Sequence, residues 1–174
     1  MRRFALILVL STSLSTFAAP ADATATEALD AQFRQHFGRG LGASTGPCAI
    51  AFCGNGHVVG YGNAELTLVA TSSVPISLTG CGFALAVTGI ATIELQDGDT
   101  LVLEEAGTYC LPGESTFAPG NLFQSYGNPW EIDASYTVVG GSGVFAGAGG
   151  DGTNTIRQGG DAQIAVYSGA MAIG

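Results

Sequence analysis

Few side chains in this sequence have the types and spacing that acid–base or nucleophilic catalysis needs. There are two histidines, His36 and His57, and each is interpreted as a surface, turn or packing residue because no triad partner lies in a recognisable pattern. The sequence has no Gly-x-Ser-x-Gly segment, so a nucleophile elbow is not predicted. Residues 147–152 match Gly-x-Gly-x-x-Gly, but the helix that dinucleotide binding requires is not predicted after them. The sequence therefore indicates no particular reaction.

Four polar residues are candidates for lining a cavity, if the chain folds around one. Tyr136 and Arg157 flank a glycine-rich segment, and Arg157 is the only positive charge after Arg39. A buried arginine must be paired with a carboxylate, and Glu94 and Glu104 complete the set of candidate cavity residues. An exposed Arg157 would instead form a surface ion pair worth ~0–1 kcal/mol.

Carboxylates are concentrated around one predicted hairpin. They are Glu94, Asp97, Asp99, Glu104 and Glu105. Such a group could bind Ca²⁺, or supply a glycosidase pair about 5–9.5 Å apart. A solvated face that guards a strand edge is the favoured interpretation. The spacing also fails the EF-hand pattern, since position 108 is Thr. Neither a metal site nor a cofactor is predicted.

The four cysteines are predicted to form two disulfides. They are Cys48, Cys53, Cys81 and Cys110. Three pairings are possible, and the pairing of sequence neighbours, Cys48–Cys53 with Cys81–Cys110, is preferred. On the loop-entropy model these bridges stabilise the fold by roughly 2 and 3.6 kcal/mol. A zinc site is the alternative, but the cysteine and histidine spacings do not give the closely spaced ligand pairs that zinc favours.

From Ala49 onward the sequence predicts β-strands. Segments rich in Val, Ile, Thr, Phe and Tyr alternate with Gly, Asn, Asp and Pro. No helical stretch of about 10–15 residues lies between them, so parallel βαβ units are excluded. The expected fold class is all-β, an antiparallel sandwich or barrel.

The sequence of one predicted hairpin also predicts the register in which its two strands pair. A three-residue turn, Gln96–Gly98, with Gly98 in the left-handed conformation is a favoured connection. It sets these pairs: Ala91 with Leu103, Ile93 with Leu101, and Glu94 with Thr100. A two-residue turn would mix the apolar and polar faces, so burial selects the longer turn. Glu94 and Glu104 are then expected on the polar face.

Two other segments carry separate predictions. Thr24–Phe37 is the best helix candidate, since Leu29, Phe33 and Phe37 recur every four residues. Gly38–Pro47 is interpreted as a flexible joint. Residues 111–130 hold three prolines and four aromatics. They are predicted to form a long loop that covers one end of a barrel, with a ligand-binding lid as the alternative.

The first 25 residues have the pattern of a secretory signal peptide. Arg2 and Arg3 precede an apolar run, Phe4–Leu10, which is too short to span a bilayer, and Ala-x-Ala cleavage options follow. A buried N-terminal helix is the alternative. The predicted organisation is a signal over 1–25, a short helix and linker over 26–47, and a barrel over 48–174. Export out of the cytoplasm is therefore expected.

The charge balance limits the classes of molecule that the protein is expected to bind. The net charge is −9, from 5 arginines against 14 Asp and Glu. Removing residues 1–25 takes away Arg2, Arg3 and Asp22 and leaves 3 positive and 13 negative charges, a net of −10. This balance argues against nucleic-acid binding and against attraction to anionic membranes after cleavage.

One glycine-rich segment carries a family resemblance. Tyr126–Pro129 is Tyr-Gly-Asn-Pro, and Gly140–Gly150 is Gly-Gly-Ser-Gly-Val-Phe-Ala-Gly-Ala-Gly-Gly. This resembles the Gly-Gly-Thr-Gly-x-Phe-x-Gly-Ala-x-Gly segment of allene oxide cyclase barrel-like and dirigent-like proteins, especially secreted bacterial members without assigned activity. The resemblance covers roughly residues 80–174 and implies an eight-stranded antiparallel barrel, often with a cavity.

The resemblance carries over no catalytic residue, because the acid, arginine and tyrosine of dirigent barrels cannot be placed here by motif. Ser142 replaces the usual Thr, and Val144 stands where a polar or basic residue is common. Apart from the resemblance, Phe145 is expected to seat the turn on the core, because it is a bulky residue in a run of small ones.

Three functional hypotheses follow. The first is a secreted, disulfide-stabilised barrel that binds a small apolar ligand or serves as a structural module. The second is an isomerase, cyclase or dirigent-type protein for a small apolar substrate, which a buried Arg157–carboxylate pair beside Tyr136 would favour. The third is an outer-membrane barrel, which requires apolar-out alternation along strands of about 9–11 residues.

Overall fold

The computed structural model describes residues 25–37, 48, 51–112, 130–159 and 162–174. These residues form eight strands and one turn of 3-10 helix at Gly143–Phe145. The strands are β1 (Ala25–Phe37), β2 (Phe52–Val58), β3 (Gly62–Ile76), β4 (Cys81–Leu95), β5 (Thr100–Pro112), β6 (Glu131–Gly141), β7 (Gly149–Gly159) and β8 (Ala162–Ile173). The predicted signal peptide, joint and most of the predicted long loop lie outside the described residues.

The eight strands close into one antiparallel ring. Each strand pairs with the next along the chain, and β1 pairs with both β2 and β8. The predicted fold class, an antiparallel barrel of about eight strands, is confirmed. Closure gives every strand of the ring a neighbour on both sides, whereas an open sheet leaves one side of each edge strand unpaired.

The predicted N-terminal helix is wrong, because residues 25–37 form strand β1. The spacing of Leu29 and Phe33 by four residues fits a helix, but it is also twice the two-residue period of a strand. Leu29, Ala31 and Phe33 are buried, and the residues between them are exposed. Pairing with β2 and β8 outweighs the helical pattern, so the barrel begins at Ala25 and not at residue 48.

The interior is filled by alternate residues from all eight strands. The largest fully buried side chains include Trp130, Tyr109, Tyr136, Tyr167, Phe33, Phe52 and Phe145. Outward-facing residues of the strands are mostly polar. This is the reverse of the alternation expected of an outer-membrane barrel. Separately, no described helix is long and apolar enough to span a membrane.

The β4–β5 hairpin has the predicted register. Ala91 pairs with Leu103 and Ile93 with Leu101, and Gly98 adopts a φ of 92°. All four paired residues are fully buried. The longer turn therefore forms because it places the large aliphatic side chains of this region, except Ile90 and Val102, on one face.

The glycine-rich segment is fastened to this hairpin. The Val144 backbone N–H donates to Asp99 Oδ2 at 2.8 Å, and the Thr100 N–H donates to Ser142 Oγ at 3.1 Å. Phe145 is fully buried, and its ring lies 4.8 Å from that of Tyr61. The prediction that Phe145 seats this turn on the core is confirmed.

The preferred disulfide pairing is confirmed. Cys48 bonds to Cys53, and Cys81 bonds to Cys110. The first bridge holds the Cα atoms of Cys48 and Cys53 5.6 Å apart and so fastens Cys48 to β2. Strand β2 pairs with β3 only as far as Leu68, and β3 continues beyond it to Ile76.

Two glycines make room for the Tyr136 side chain. Gly152 and Gly169 are cross-strand partners on β7 and β8. A Cβ atom on Gly152 would lie 2.4 Å from Tyr136 Oη and 2.3 Å from the Ser168 carbonyl oxygen. A Cβ on Gly169 would lie 2.3 Å from the same hydroxyl. These positions therefore require glycine for close approach of Tyr136 to the sheet.

Removal of the two disulfides should have unequal effects. The double variant C81S/C110S should lose about 3.6 kcal/mol of unfolding free energy, and C48S/C53S about 2 kcal/mol, because the first bridge closes the longer loop. Urea denaturation of both variants and the parent measures this. A greater loss in C48S/C53S would contradict the loop-entropy account.

Substitution of Gly152 by alanine should destabilise the barrel by about 1–3 kcal/mol, since the added methyl group overpacks against Tyr136 and the Ser168 carbonyl. The matched control is Gly140→Ala, where an added Cβ would have no atom within 4 Å. Thermal unfolding of both variants tests this. Equal stability of the two variants would show that Tyr136 is not held by the glycine pair.

Candidate functional site

The interior wall formed by β5 to β8 carries a cluster of buried polar side chains. We call these four residues the Glu105 cluster: Glu105, Tyr136, Asn154 and Tyr167. Glu105 is only 5% exposed and Asn154 is fully buried. The alternation of β5 positions Glu105, because Leu101 and Leu103 on the same strand also face inward. A carboxyl group thus lies on the inner face of a barrel with an apolar core.

The strand register brings the cluster together. Glu105 pairs with Tyr136 across β5 and β6, and Asn154 pairs with Tyr167 across β7 and β8. The Asn154 Nδ2 group donates a hydrogen bond to Glu105 Oε2 at 3.1 Å. The tyrosine rings have centroids 5.9 Å apart, and Phe33 contacts Tyr167 edge-on at 5.9 Å.

Several polar atoms of the cluster lack a hydrogen-bond partner within the described part of the chain. They are Glu105 Oε1, Asn154 Oδ1 and the Tyr136 and Tyr167 hydroxyls. The Tyr167 hydroxyl lies near enough to Glu105 to affect its ionisation, but it makes no well-aligned hydrogen bond. An unsatisfied buried polar atom costs about 1–3 kcal/mol. Such a concentration therefore indicates a place for a polar guest, either water or a ligand.

Burial governs ionisation in the cluster. It raises the pKa of Glu105 above its usual value, while interactions with Tyr167 and Asn154 partly oppose the rise. It also raises the pKa of Tyr136 to about 12, with the charges of Asp151 and Glu105 adding to the effect. The pKa of Tyr167 lies well above 10 for the same main reason. Both phenols are therefore hydrogen-bond donors at neutral pH.

The basic side chains whose positions are described lie outside the barrel. Arg34, His57 and Arg157 are all exposed. The Glu105 carboxyl consequently has no ion-pair partner among the described side chains. The nearest compensating groups are the dipoles of Asn154 and the tyrosines, which stabilise an ionised carboxylate less than a cation does.

A small cavity of about 30 Å³ adjoins Glu105. Its walls are mainly apolar and include Phe52, Leu68, Val87 and Ile132, and it is partly enclosed. The space suffices for a water-sized guest, whereas sites for drug-sized ligands measure about 300–1,000 Å³. Ala70 and Thr88 also line it and are exposed, so its rim lies where β3 runs past the end of β2.

Of the four predicted cavity residues, one lies inside the barrel and three lie on its outer surface. Tyr136 is buried inside the barrel. The other three, Arg157, Glu94 and Glu104, are exposed and do not line the barrel interior. Glu94 instead lines an open pocket on the outer surface with Glu65. Arg157 Nε donates to Glu131 Oε1 at 2.8 Å on the outer surface, which is the surface ion pair considered as the alternative. Alternate positions of β4, β5 and β7 face opposite sides of the sheet, and Glu94, Glu104 and Arg157 lie at outward-facing positions of these strands.

Three residues of the cluster were not identified as site residues by sequence reasoning. For Glu105 a signal existed: it follows Leu101 and Leu103 at intervals of two, on the face that the hairpin register makes apolar. Asn154 lies in a strand of mostly small and polar residues, so its inward phase could not be recognised. Tyr167 lies among small residues in β8, where both faces look alike.

Within the described ranges, no group of three or more His, Cys, Asp or Glu side chains is placed so that it could hold a metal ion. What the cluster offers is an acid with a raised pKa, two phenolic donors and one amide. This set of groups can bind a polar group or exchange a proton with it.

Comparisons with protein-family models, with curated proteins and with solved structures gave no significant match.

Proposed function

We propose that this chain is a disulfide-stabilised barrel that acts outside the cytoplasm and binds a small, mostly apolar molecule carrying a basic nitrogen. The observation that carries the proposal is the Glu105 carboxyl. It is buried, has one oxygen without a hydrogen-bond partner among the described residues, and adjoins an apolar cavity. A pocket of this kind, apolar with one polar group of shifted pKa, is typical of ligand sites.

The charge of the guest follows from the electrostatics. A buried carboxylate without a cation is destabilised, and an entering ammonium group supplies the missing charge. The chain is also acidic throughout, with a net charge of −9, which attracts cations and repels anions. The Tyr167 hydroxyl, which interacts with Glu105, can add a hydrogen bond to a polar atom placed beside the carboxyl.

The size of the guest requires the cavity to enlarge on binding. Its present volume of about 30 Å³ is too small for an aromatic ring. Leu68 and Val87 line the cavity and can change rotamer to enlarge it, and Gly89 and Gly107 line it without side chains. We propose that the ligand enters past Ala70 and Thr88, where β3 extends beyond β2.

Action outside the cytoplasm is supported by the two disulfides, since such bonds persist in oxidising compartments. The signal-peptide pattern of residues 1–25 points the same way. Membership of the allene oxide cyclase barrel-like group also remains a proposal. It is supported by the single ring of eight antiparallel strands, which is the architecture that the resemblance implies.

A second candidate function is isomerisation or cyclisation of a small apolar substrate, including dirigent-type control of its stereochemistry. The observation in its favour is the placement of the Tyr167 hydroxyl close to a carboxyl of raised pKa, with the Tyr136 ring packed beside that of Tyr167. An acid and a phenol in an apolar site can move a proton and stabilise an oxyanion. The binding role is preferred because it needs only the groups that lack partners.

The variant Glu105→Gln should change how stability depends on pH. Between the ordinary glutamate pKa of 4.5 and the raised value in the fold, the native protein binds more protons than the unfolded chain. Stability of the parent should therefore fall as pH rises through this window, by up to about 1.4 kcal/mol per unit, and then level off. Glu105→Gln should lack this fall. Urea unfolding between pH 4 and 8 measures it, and parallel profiles would contradict it.

Binding of benzylamine should depend on Glu105. We expect benzylamine to raise the unfolding temperature of the parent, and its affinity to drop about tenfold or more in Glu105→Gln, because the ion pair is lost. Benzyl alcohol has the same ring without the charge and should bind both proteins alike. Glu104→Gln, an exposed neighbour, controls for loss of surface charge. Titration calorimetry that finds no benzylamine binding to the parent would overturn the proposal.

A further inference from the structure

A second set of inward-facing polar groups, two buried and one partly buried, lies further along the barrel, nearer the end where β1 finishes and β8 begins. Gln35 on β1 is the cross-strand partner of Gln163 on β8, and Gln163 is the partner of Gln158 on β7. We call these three residues the glutamine row. Each has the inward phase of its strand, since Phe33, Ile156 and Ala165 two positions away are fully buried.

The glutamine row is deeply placed and incompletely bonded. Gln35 is 2% exposed and Gln163 is 9% exposed. Within the described residues, Gln35 has no partner for its Nε2 or Oε1 atom, and Gln158 and Gln163 have none for Oε1. Three amide groups in register on adjacent strands therefore present both donors and acceptors to the interior. A purely structural network would pair these groups with one another.

The surroundings of the row are aromatic and uncharged. The Gln158 backbone N–H donates to the Trp130 carbonyl at 3.2 Å, which places Trp130 at the same level. The rings of Trp130 and Phe52 lie 6.2 Å apart, and Phe33 stands one layer further in. Amides that bond to hydroxyls, beside aromatic faces that pack against C–H groups, together match a neutral, hydroxyl-rich molecule.

The row is separate from the Glu105 cluster. Gln158 is four residues from Asn154 along β7, and Gln163 is four residues from Tyr167 along β8. Four residues of strand span about 13 Å. The layer between them contains the apolar residues Phe33, Ile156 and Ala165. A ligand of the row is thus not required to touch Glu105, and the inference does not rest on the function proposed for that residue.

We propose that the glutamine row is a binding site for the hydroxyl groups of a neutral sugar or polyol. Gln35 donates and accepts, and Gln158 and Gln163 supply the further acceptors. The lack of charge on the row excludes selection by ion pairing, so recognition is by hydrogen bonds and aromatic packing.

The first test measures the free protein. Gln35→Met keeps the length of the side chain and removes two unsatisfied buried atoms, so its unfolding temperature should rise by about 2–4 °C. Gln32→Met, on the outward face of the same strand, is the matched control and should not shift. A fall in the unfolding temperature of Gln35→Met would mean that the row is a structural network, and would overturn the proposal.

The second test measures binding with glucose as the probe. Titration of ¹⁵N-labelled protein to 100 mM glucose should shift the side-chain amide resonances of the glutamine row in a saturable way. The double variant Q35M/Q163M should bind at least tenfold more weakly, whereas Gln32→Met and Glu105→Gln should bind as the parent does. Absence of saturable shifts in the parent, or unchanged binding in Q35M/Q163M, would overturn the proposal. Loss of binding in Glu105→Gln would also overturn it, since the two sites would then be one.

Discussion

Closure of the sheet is the constraint on which the rest of the structure depends. Because β1 bonds to β2 on one side and to β8 on the other, every strand has a fixed inner and outer face. An eight-stranded barrel is just wide enough for its side chains to fill it. Any polar residue with the inward phase is therefore held against its neighbours, without bulk water to satisfy it. The buried polar groups of this protein are therefore the polar residues at inward-facing strand positions.

The interior is layered along the barrel. A polar layer around Glu105 is followed by an apolar layer with Phe33 and Ile156, and then by the layer of the glutamine row. Each unsatisfied polar atom opposes folding by an amount comparable to a hydrogen bond. The apolar layers and the two disulfides offset this cost. Stability alone would favour aliphatic residues at these positions, which supports the proposal that the polar layers contact a bound molecule.

The sequence specifies some of these features locally and leaves others to tertiary pairing. The β4–β5 register is predictable, since only one turn length separates apolar from charged residues, and the cysteine pairing follows chain order. Strand β1 is not predictable, because a spacing of four fits both periods. The outward position of Arg157 is equally unpredictable, because β7 consists mostly of glycine, threonine and other polar residues and shows no clear alternation. The inward position of Glu105 could be predicted because it lies two residues after Leu103. The inward positions of Asn154 and Tyr167 become evident only when β7 and β8 pair.

One inserted residue determines which side chain meets Glu105. On β6, Gly140 pairs with Val102 and Val138 pairs with Leu103, so Val139 is an extra residue and points outward. Along β6, the inward positions before Val139 are even-numbered, and the position after it that opposes the inward Leu101 is the odd-numbered Gly141. Without it, Thr137 would oppose Glu105 and Tyr136 would face solvent. Bulges often redirect side chains beside functional sites. The shift therefore places Tyr136 in the interior, as a hydrogen-bond donor with a pKa of about 12. Its cross-strand partner Glu105 is also buried, whereas the adjacent Glu104 is exposed to solvent.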